Sequence, residues 1–171
     1  MNVTVMAGVS GSGKSTYANN LDKPVCSTDK FIDDHAREHG VNYSDSFEMI
    51  QNQQLFGTIT GMFYSEMIEY IKNGIDFIVD RTNLTSGSRQ ALTNFIRTTA
   101  ASFDHEVVIK CAYMSIDEKQ LLEILEKRNQ ETGKKIPLNV IRNQIQAWEV
   151  PSTIKDGFDV VESKKVGEFR I

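Results

Sequence analysis

The chain is poor in the features that would send the argument elsewhere. Of its 171 residues only two are cysteine, Cys26 and Cys111. Both fall in stretches expected to be buried strands, which argues for reduced core thiols rather than a disulfide or a metal pair. No apolar run approaches the ~20 residues of a membrane span. The N-terminus lacks the charged-then-apolar-then-small pattern of a signal peptide, so a soluble, cytoplasmic protein without a membrane partner is expected. There is no internal repeat, low-complexity tract or linker. His35 and His39 stand four apart, but no third ligand and no H-E-x-x-H pattern accompany them, so exposed helix residues are expected rather than a zinc site. Nor is there an excess of positive charge: the net charge of −4 argues against broad coating of nucleic acid.

The charge that is present is unevenly placed. Residues 127–142 carry Lys127, Arg128, Lys134, Lys135 and Arg142 against Glu131 alone. From Arg81 to Phe103 the chain holds Arg81, Arg89 and Arg97 and no acid. Two basic patches on an acidic body indicate anionic ligands bound locally, although a solvated face is the ordinary origin of such runs.

The organising stretch is Gly8-Val9-Ser10-Gly11-Ser12-Gly13-Lys14-Ser15, followed by Thr16. It matches G-x-x-x-x-G-K-[ST], between an apolar strand at 2–7 and a helix starting near Ser15. Such a turn aims successive backbone N–H groups at one point, where the helix dipole also favours an anion. Lys14 is then placed for the β- and γ-phosphates of ATP and the Ser15 hydroxyl for Mg²⁺.

Downstream, strands are expected at 24–27, 75–80, 107–114 and 158–162. Helices are expected at 31–39, over a long run from Asp45 to Asn73, from Ser86 or Ser88 to about Ala100, from Ser115-Ile116-Asp117-Glu118 to about Asn129, and from Pro137 to Trp148. The alternation indicates one α/β domain over 1–171, with parallel strands and helices on both sheet faces. Ligands of such sheets lie at the carboxyl ends of the strands. Asp29 falls there as a candidate general base, or else as the cap of the helix near Phe31. Asp80 ends an apolar strand, either as an acid orienting Mg²⁺-bound water or as an ordinary strand-end acid. Thr82 and Asn83 offer polar groups beside it, or simply form a turn. Arg128, before the loop 130–136, is a candidate lid arginine over the triphosphate, with Gly133, Lys134 and Lys135 covering the nucleotide. The lid is expected at about 128–137.

Taken in order, residues 8–16, Ser27-Thr28-Asp29, Val79-Asp80-Arg81-Thr82-Asn83-Leu84, Lys127-Arg128-Asn129, Lys135-Ile136-Pro137 and Val140-Ile141-Arg142 resemble the kinase domain of phage-type polynucleotide 5′-hydroxyl kinases, within the wider group of small phosphate-loop kinases. The resemblance covers Met1 to about Trp148. It implies a five-stranded parallel sheet in the order 2-3-1-4-5 with a helical lid. It also implies transfer of the ATP γ-phosphoryl group to a 5′-OH end of DNA or RNA. In that reading Lys14, Asp29 and Arg128 are catalytic. Gly8, Ser10, Gly11, Ser12, Gly13, Ser15, Thr16 and Lys135 join Lys14 and Arg128 around ATP, with Ser15 as the metal ligand. Asp80, Arg81, Thr82, Asn83, Arg89 and Lys30 would meet the acceptor. Where the family has an arginine three residues after the aspartate this chain has Ile32, with Lys30 and Arg37 nearby. Where the family has a second lid arginine it has Thr132, with Lys134 close by. A kinase for a small hydroxyl compound (nucleoside, nucleotide, sugar acid or antibiotic) is the alternative, and a nucleotide-binding module without turnover is a third reading.

Overall fold

The computed structural model describes residues 1–132 and 134–165; the expectation that Gly133 covers the nucleotide lies outside them, as do residues 166–171 of the expected domain. The sheet contains β1 (Asn2–Ala7), β2 (Val25–Cys26), β3 (Phe77–Val79), β4 (Val108–Ser115) and β5 (Val160–Lys165). All four pairings are parallel and the order is β2-β3-β1-β4-β5, as the resemblance implied. Successive side chains of a strand face opposite ways, and β1 uses this to divide the core. Val3, Val5 and Ala7 pack with Phe63, Met67 and Ile71 of α4 (Phe56–Lys72) and with Leu92, Ile96 and Ala100 of α5 (Ser86–Ser102). Met6 faces the other way, towards Ala18 of α1 (Lys14–Asn19), Ile78, Ala112 and Met114.

The helices differ from the sequence-based expectation where local caps decide. Helix α2 (Thr28–His39) starts three residues before Phe31 because Ser27 is its N-cap, the Ser27 side chain accepting from the Asp29 N–H. Asp29 therefore sits inside the first turn and is not the cap. The run expected from Asp45 to Asn73 starts earlier and is two helices, α3 (Tyr43–Asn52) and α4, separated at Gln54, which takes the left-handed φ of 57°. Gly57 and Gly61 do not cause the break; both lie inside α4, facing open space. Asn42 caps α3 by accepting from the Asp45 N–H. Helix α6 (Glu118–Thr132) is held at its start by Asp117 Oδ1, which accepts from Gln120, while Ser115 stays in β4. Pro137 stands just ahead of α7 (Leu138–Ala147), and a short α8 (Thr153–Asp156) precedes β5.

Arg89 corrects the expectation for the acceptor. It is fully buried, its Nε donating to Asp156 at 2.7 Å and its Nη1 donating to the carbonyls of Asn83 and Leu84, each at 2.9 Å. Asp156 also accepts from the Ser86 hydroxyl and the Ser152 N–H. A charge this deep is retained only where it is paired, so Arg89 ties α5 and α8 to the turn after β3 and never reaches a ligand. Arg89→Met, which strands the carboxylate, is expected to cost about 3–5 kcal/mol of stability in urea unfolding. The double variant Arg89→Met/Asp156→Leu should unfold at a higher urea concentration than Arg89→Met alone; a lower midpoint would show that the charges are not coupled.

Candidate active site

Gly8 and Gly11 set the shape of the turn after β1, with φ of 142° and 85°. A side chain at Gly8 would lie 2.9 Å from the Ser12 hydroxyl and 3.3 Å from Met114 Cβ, so close packing as well as backbone conformation calls for glycine. The turn is braced from the segment after β3: the Gly8 N–H donates to Thr82 O at 2.9 Å, and the Asn83 side-chain amide donates to Met6 O at 2.7 Å. From α7, Gln144 Oε1 accepts the Ser10 N–H at 2.7 Å. Lys14 is 7% exposed and donates to Val9 O at 2.8 Å. Burial lowers its pKa to about 8, against the charges of Asp80 and Asp29, which raise it; the Arg128 charge lowers it further.

Beside the turn, the Ser15 hydroxyl donates to Asp80 Oδ2 at 2.6 Å. Burial raises the Asp80 carboxyl above its ordinary value, opposed by the Ser15 hydrogen bond and the Lys14 charge. Asp29 stands across the same cleft, of about 700 Å³. Both of its oxygens are engaged: the Tyr43 hydroxyl donates to Oδ1 and Lys134 Nζ donates to Oδ2, each at 3.0 Å. Lys134 Nζ also lies 3.4 Å from the centroid of the Tyr43 ring. Burial, and then the facing Asp29 charge, push the Tyr43 phenol well above its ordinary pKa, so the hydroxyl remains a donor.

The fold thus gathers Ser10, Gly11, Lys14 and Ser15 with Asp29, Asp80, Arg81 and Thr82 along one cleft, which Arg128, Lys134 and Lys135 also line. Other expected residues stand apart. Gly8, Ser12 and Gly13 shape the loop from behind; the buried Ser12 hydroxyl has no partner among the described residues. Thr16 is exposed on α1, outside the cleft lining. The Asn83 amide is spent on Met6, and Lys30 pairs with Glu66 at 3.0 Å, so neither faces an acceptor. Ile32, where the family has arginine, is buried with Ile50 and Ile59. Arg37 pairs with Asp34. His35 and His39 stack on each other at 4.1 Å, and no metal-binding cluster occurs among the described residues.

Sequence reasoning missed Tyr43, Phe47, Gln51 and Gln144, all lining the cleft. The 43, 47, 51 spacing is a helical face and was the available signal, but the expected helix began only at Asp45 and ran unbroken to Asn73. Gln144 carried no signal, because its role depends on where α7 lies. Among the described residues, no helix is long and apolar enough to cross a membrane.

Comparison with known proteins bears on the family and the fold. A family model described as an AAA domain matches residues 3–151. L-seryl-tRNA(Sec) kinase of Methanococcus maripaludis is 28% identical over 155 residues, covering 87% of this chain and 53% of the relative. The chain therefore spans about half the length of the curated relative it matches. A solved structure from Chloroflexus aurantiacus, described as a kinase, is similar with a TM-score of 0.68 at 13% identity, over 98% of this chain and 86% of that one. Kti12 of Chaetomium thermophilum follows at a TM-score of 0.60 and 14% identity, over 97% and 90%. At such identities the two structures speak to fold alone. The chain belongs to the AAA domain family, and its fold is that of the phosphate-loop kinases.

Proposed function

We propose that this chain transfers the γ-phosphoryl group of ATP to an alcohol on a nucleic acid, the 5′-OH end of DNA or RNA. The observation that carries the reading is Asp29: a carboxylate held from both sides, across the cleft from the phosphate loop. In the transfer the acceptor oxygen forms a bond to the γ-phosphorus, its proton passes to Asp29, and the bond to the β-phosphate oxygen breaks to release ADP. Each carboxylate oxygen has two acceptor positions, so the contacts from Tyr43 and Lys134 leave room for the incoming hydroxyl. Lys14, Arg128 and Lys135 supply positive charge where negative charge builds up on the transferred oxygens. The hard oxygen donors Ser15 and Asp80, already in contact, fit Mg²⁺. The ion would neutralise charge on the β- and γ-phosphates there. Kti12, alike in fold, is in complex with ADP-AlF3, and a nucleotide ligand is proposed here as well. The relative's name, a kinase of L-seryl-tRNA, supports an alcohol carried on a nucleic acid.

A small hydroxyl compound is the second reading, and the burial of Ile32 together with the pairing of Lys30 favours it, because the acceptor phosphate loses two expected contacts. One assay separates these readings. The protein is incubated with Mg²⁺ and γ-labelled ATP, and a 5′-OH oligonucleotide, nucleosides and mononucleotides are offered in parallel. Label on the oligonucleotide is expected. Label confined to a small acceptor would replace the first reading with the second, and ATP binding without transfer would leave a nucleotide-binding module.

A further inference from the structure

Helix α3 has two faces. Ser46 and Ile50 are turned inwards, the Ser46 hydroxyl donating to Ile32 O, whereas Tyr43, Ser44, Phe47, Glu48 and Gln51 line the cleft. The second set is a helical face, spaced at i, i+1, i+4, i+5 and i+8. Phe47 stands in that wall with 40% of its surface exposed. Its ring leans on Phe56, with centroids 5.0 Å apart and planes at 60°, and lies close to parallel with Tyr43 at 6.5 Å and 27°. Lys134 occupies the Tyr43 ring, so Phe47 is the aromatic surface α3 offers to a ligand. An exposed ring supported from behind is a stacking platform.

Glu48 is adjacent to Phe47 and Gln51 lies one turn beyond. A carboxylate and a carboxamide suit the amino and ring-nitrogen edge of a base. They do not suit phosphate, and no cation stands among these five α3 residues to hold one. In the opposite direction Tyr43, one turn before Phe47, leads directly to Asp29. That interval, roughly 6 Å of helix rise, is of the order of a single nucleoside.

We propose that α3 reads the base of the acceptor's terminal nucleoside: the base stacks on Phe47, Gln51 and Glu48 meet its polar edge, and the sugar hydroxyl falls at Asp29. This rests on the reading that the acceptor is a nucleic-acid end, and it accounts for how such an end is held without a cation at Ile32. The acceptor is gripped by its base, not by its first phosphate.

Two 5′-OH oligonucleotides of one sequence test it, one with an intact 5′ nucleoside and one with an abasic tetrahydrofuran at that position. The unaltered chain is expected to favour the intact end by about tenfold in kcat/KM. Phe47→Leu, which keeps apolar volume without the π face, should erase the preference through the acceptor KM and leave the ATP KM unchanged. Equal use of both ends by the unaltered chain, or a preference that survives Phe47→Leu, overturns the proposal and leaves the kinase reading standing. A second measurement does not depend on turnover. Phe47→Trp places an indole on the wall, and its emission, taken over that of the single native Trp148, should be quenched by added nucleosides. Quenching without any transfer would remove the acceptor reading and keep the base-reading wall. Absence of quenching in a folded variant overturns the wall itself.

Discussion

Asp29→Asn is expected to lower kcat for phosphoryl transfer by about 10²–10⁴ while ATP still binds with near-normal affinity. The substitution is close to isosteric and keeps an oxygen for the Tyr43 hydroxyl, so the first turn of α2 and its Ser27 cap should persist. What disappears is the group able to take the acceptor's proton. Lys134 would lose its ion pair with Asp29 as well, so the contact across the cleft weakens. That ion pair joins an 11%-exposed lysine to a 57%-exposed carboxylate, a wet geometry in which the pair itself stabilises little. The loss of rate is therefore expected to come from the proton-accepting step. Single-turnover measurements with saturating ATP would show it directly. If only the acceptor KM rises and kcat holds, Asp29 binds the acceptor without accepting its proton, and the proposed mechanism fails.

The parts of the molecule legible in the sequence are those fixed by local chemistry. The phosphate loop announces itself through glycine spacing, because left-handed turns at Gly8 and Gly11 leave few alternatives. The strands at 2–7 and 107–114 are apolar runs of the length buried parallel strands require. The strand order came from resemblance, since periodicity carries no information about which strands lie side by side. What escaped was decided by tertiary placement. Arg89 belongs to a basic stretch in the sequence, and only the approach of α8 shows that Asp156 closes over it. Asn83 offers a polar group beside Asp80 and the resemblance sets it at the acceptor; here β1 ends against it and claims the donor. Phe47 lay inside a run from Asp45 read as one helix and Tyr43 just ahead of it; the helix in fact starts at Tyr43 and breaks at Gln54, and both side chains line the cleft. Residues whose role follows from a backbone conformation were readable, and residues whose role follows from a neighbour in space were not.

Lys14→Met should abolish measurable transfer, a loss of at least about 10²–10³, because the cation over the β- and γ-phosphates is removed while the apolar stem stays. Stability should move the other way. Burial holds the native Lys14 pKa at about 8, below the ordinary 10.5 of the unfolded chain. Below pH 8 the ammonium is charged in both states and its desolvation opposes folding in full. Between pH 8 and 10.5 the native side chain sheds its proton while the unfolded chain keeps it, so stability rises with pH across that window. Lys14→Met should cancel this rise and leave the nucleotide-free protein no less stable near neutral pH. A bound triphosphate reverses the balance, because its negative charge favours the ammonium again. Above pH 8, ATP binding should then take up a proton in the unaltered chain and not in Lys14→Met. Calorimetric titration in buffers of different ionisation heat measures that uptake. Identical binding heats across buffers at pH 9 would show that Lys14 does not meet the nucleotide, and near-normal transfer by Lys14→Met would place the chemistry away from this loop. The two measurements separate a lysine that holds the phosphates from one that merely props the turn through Val9.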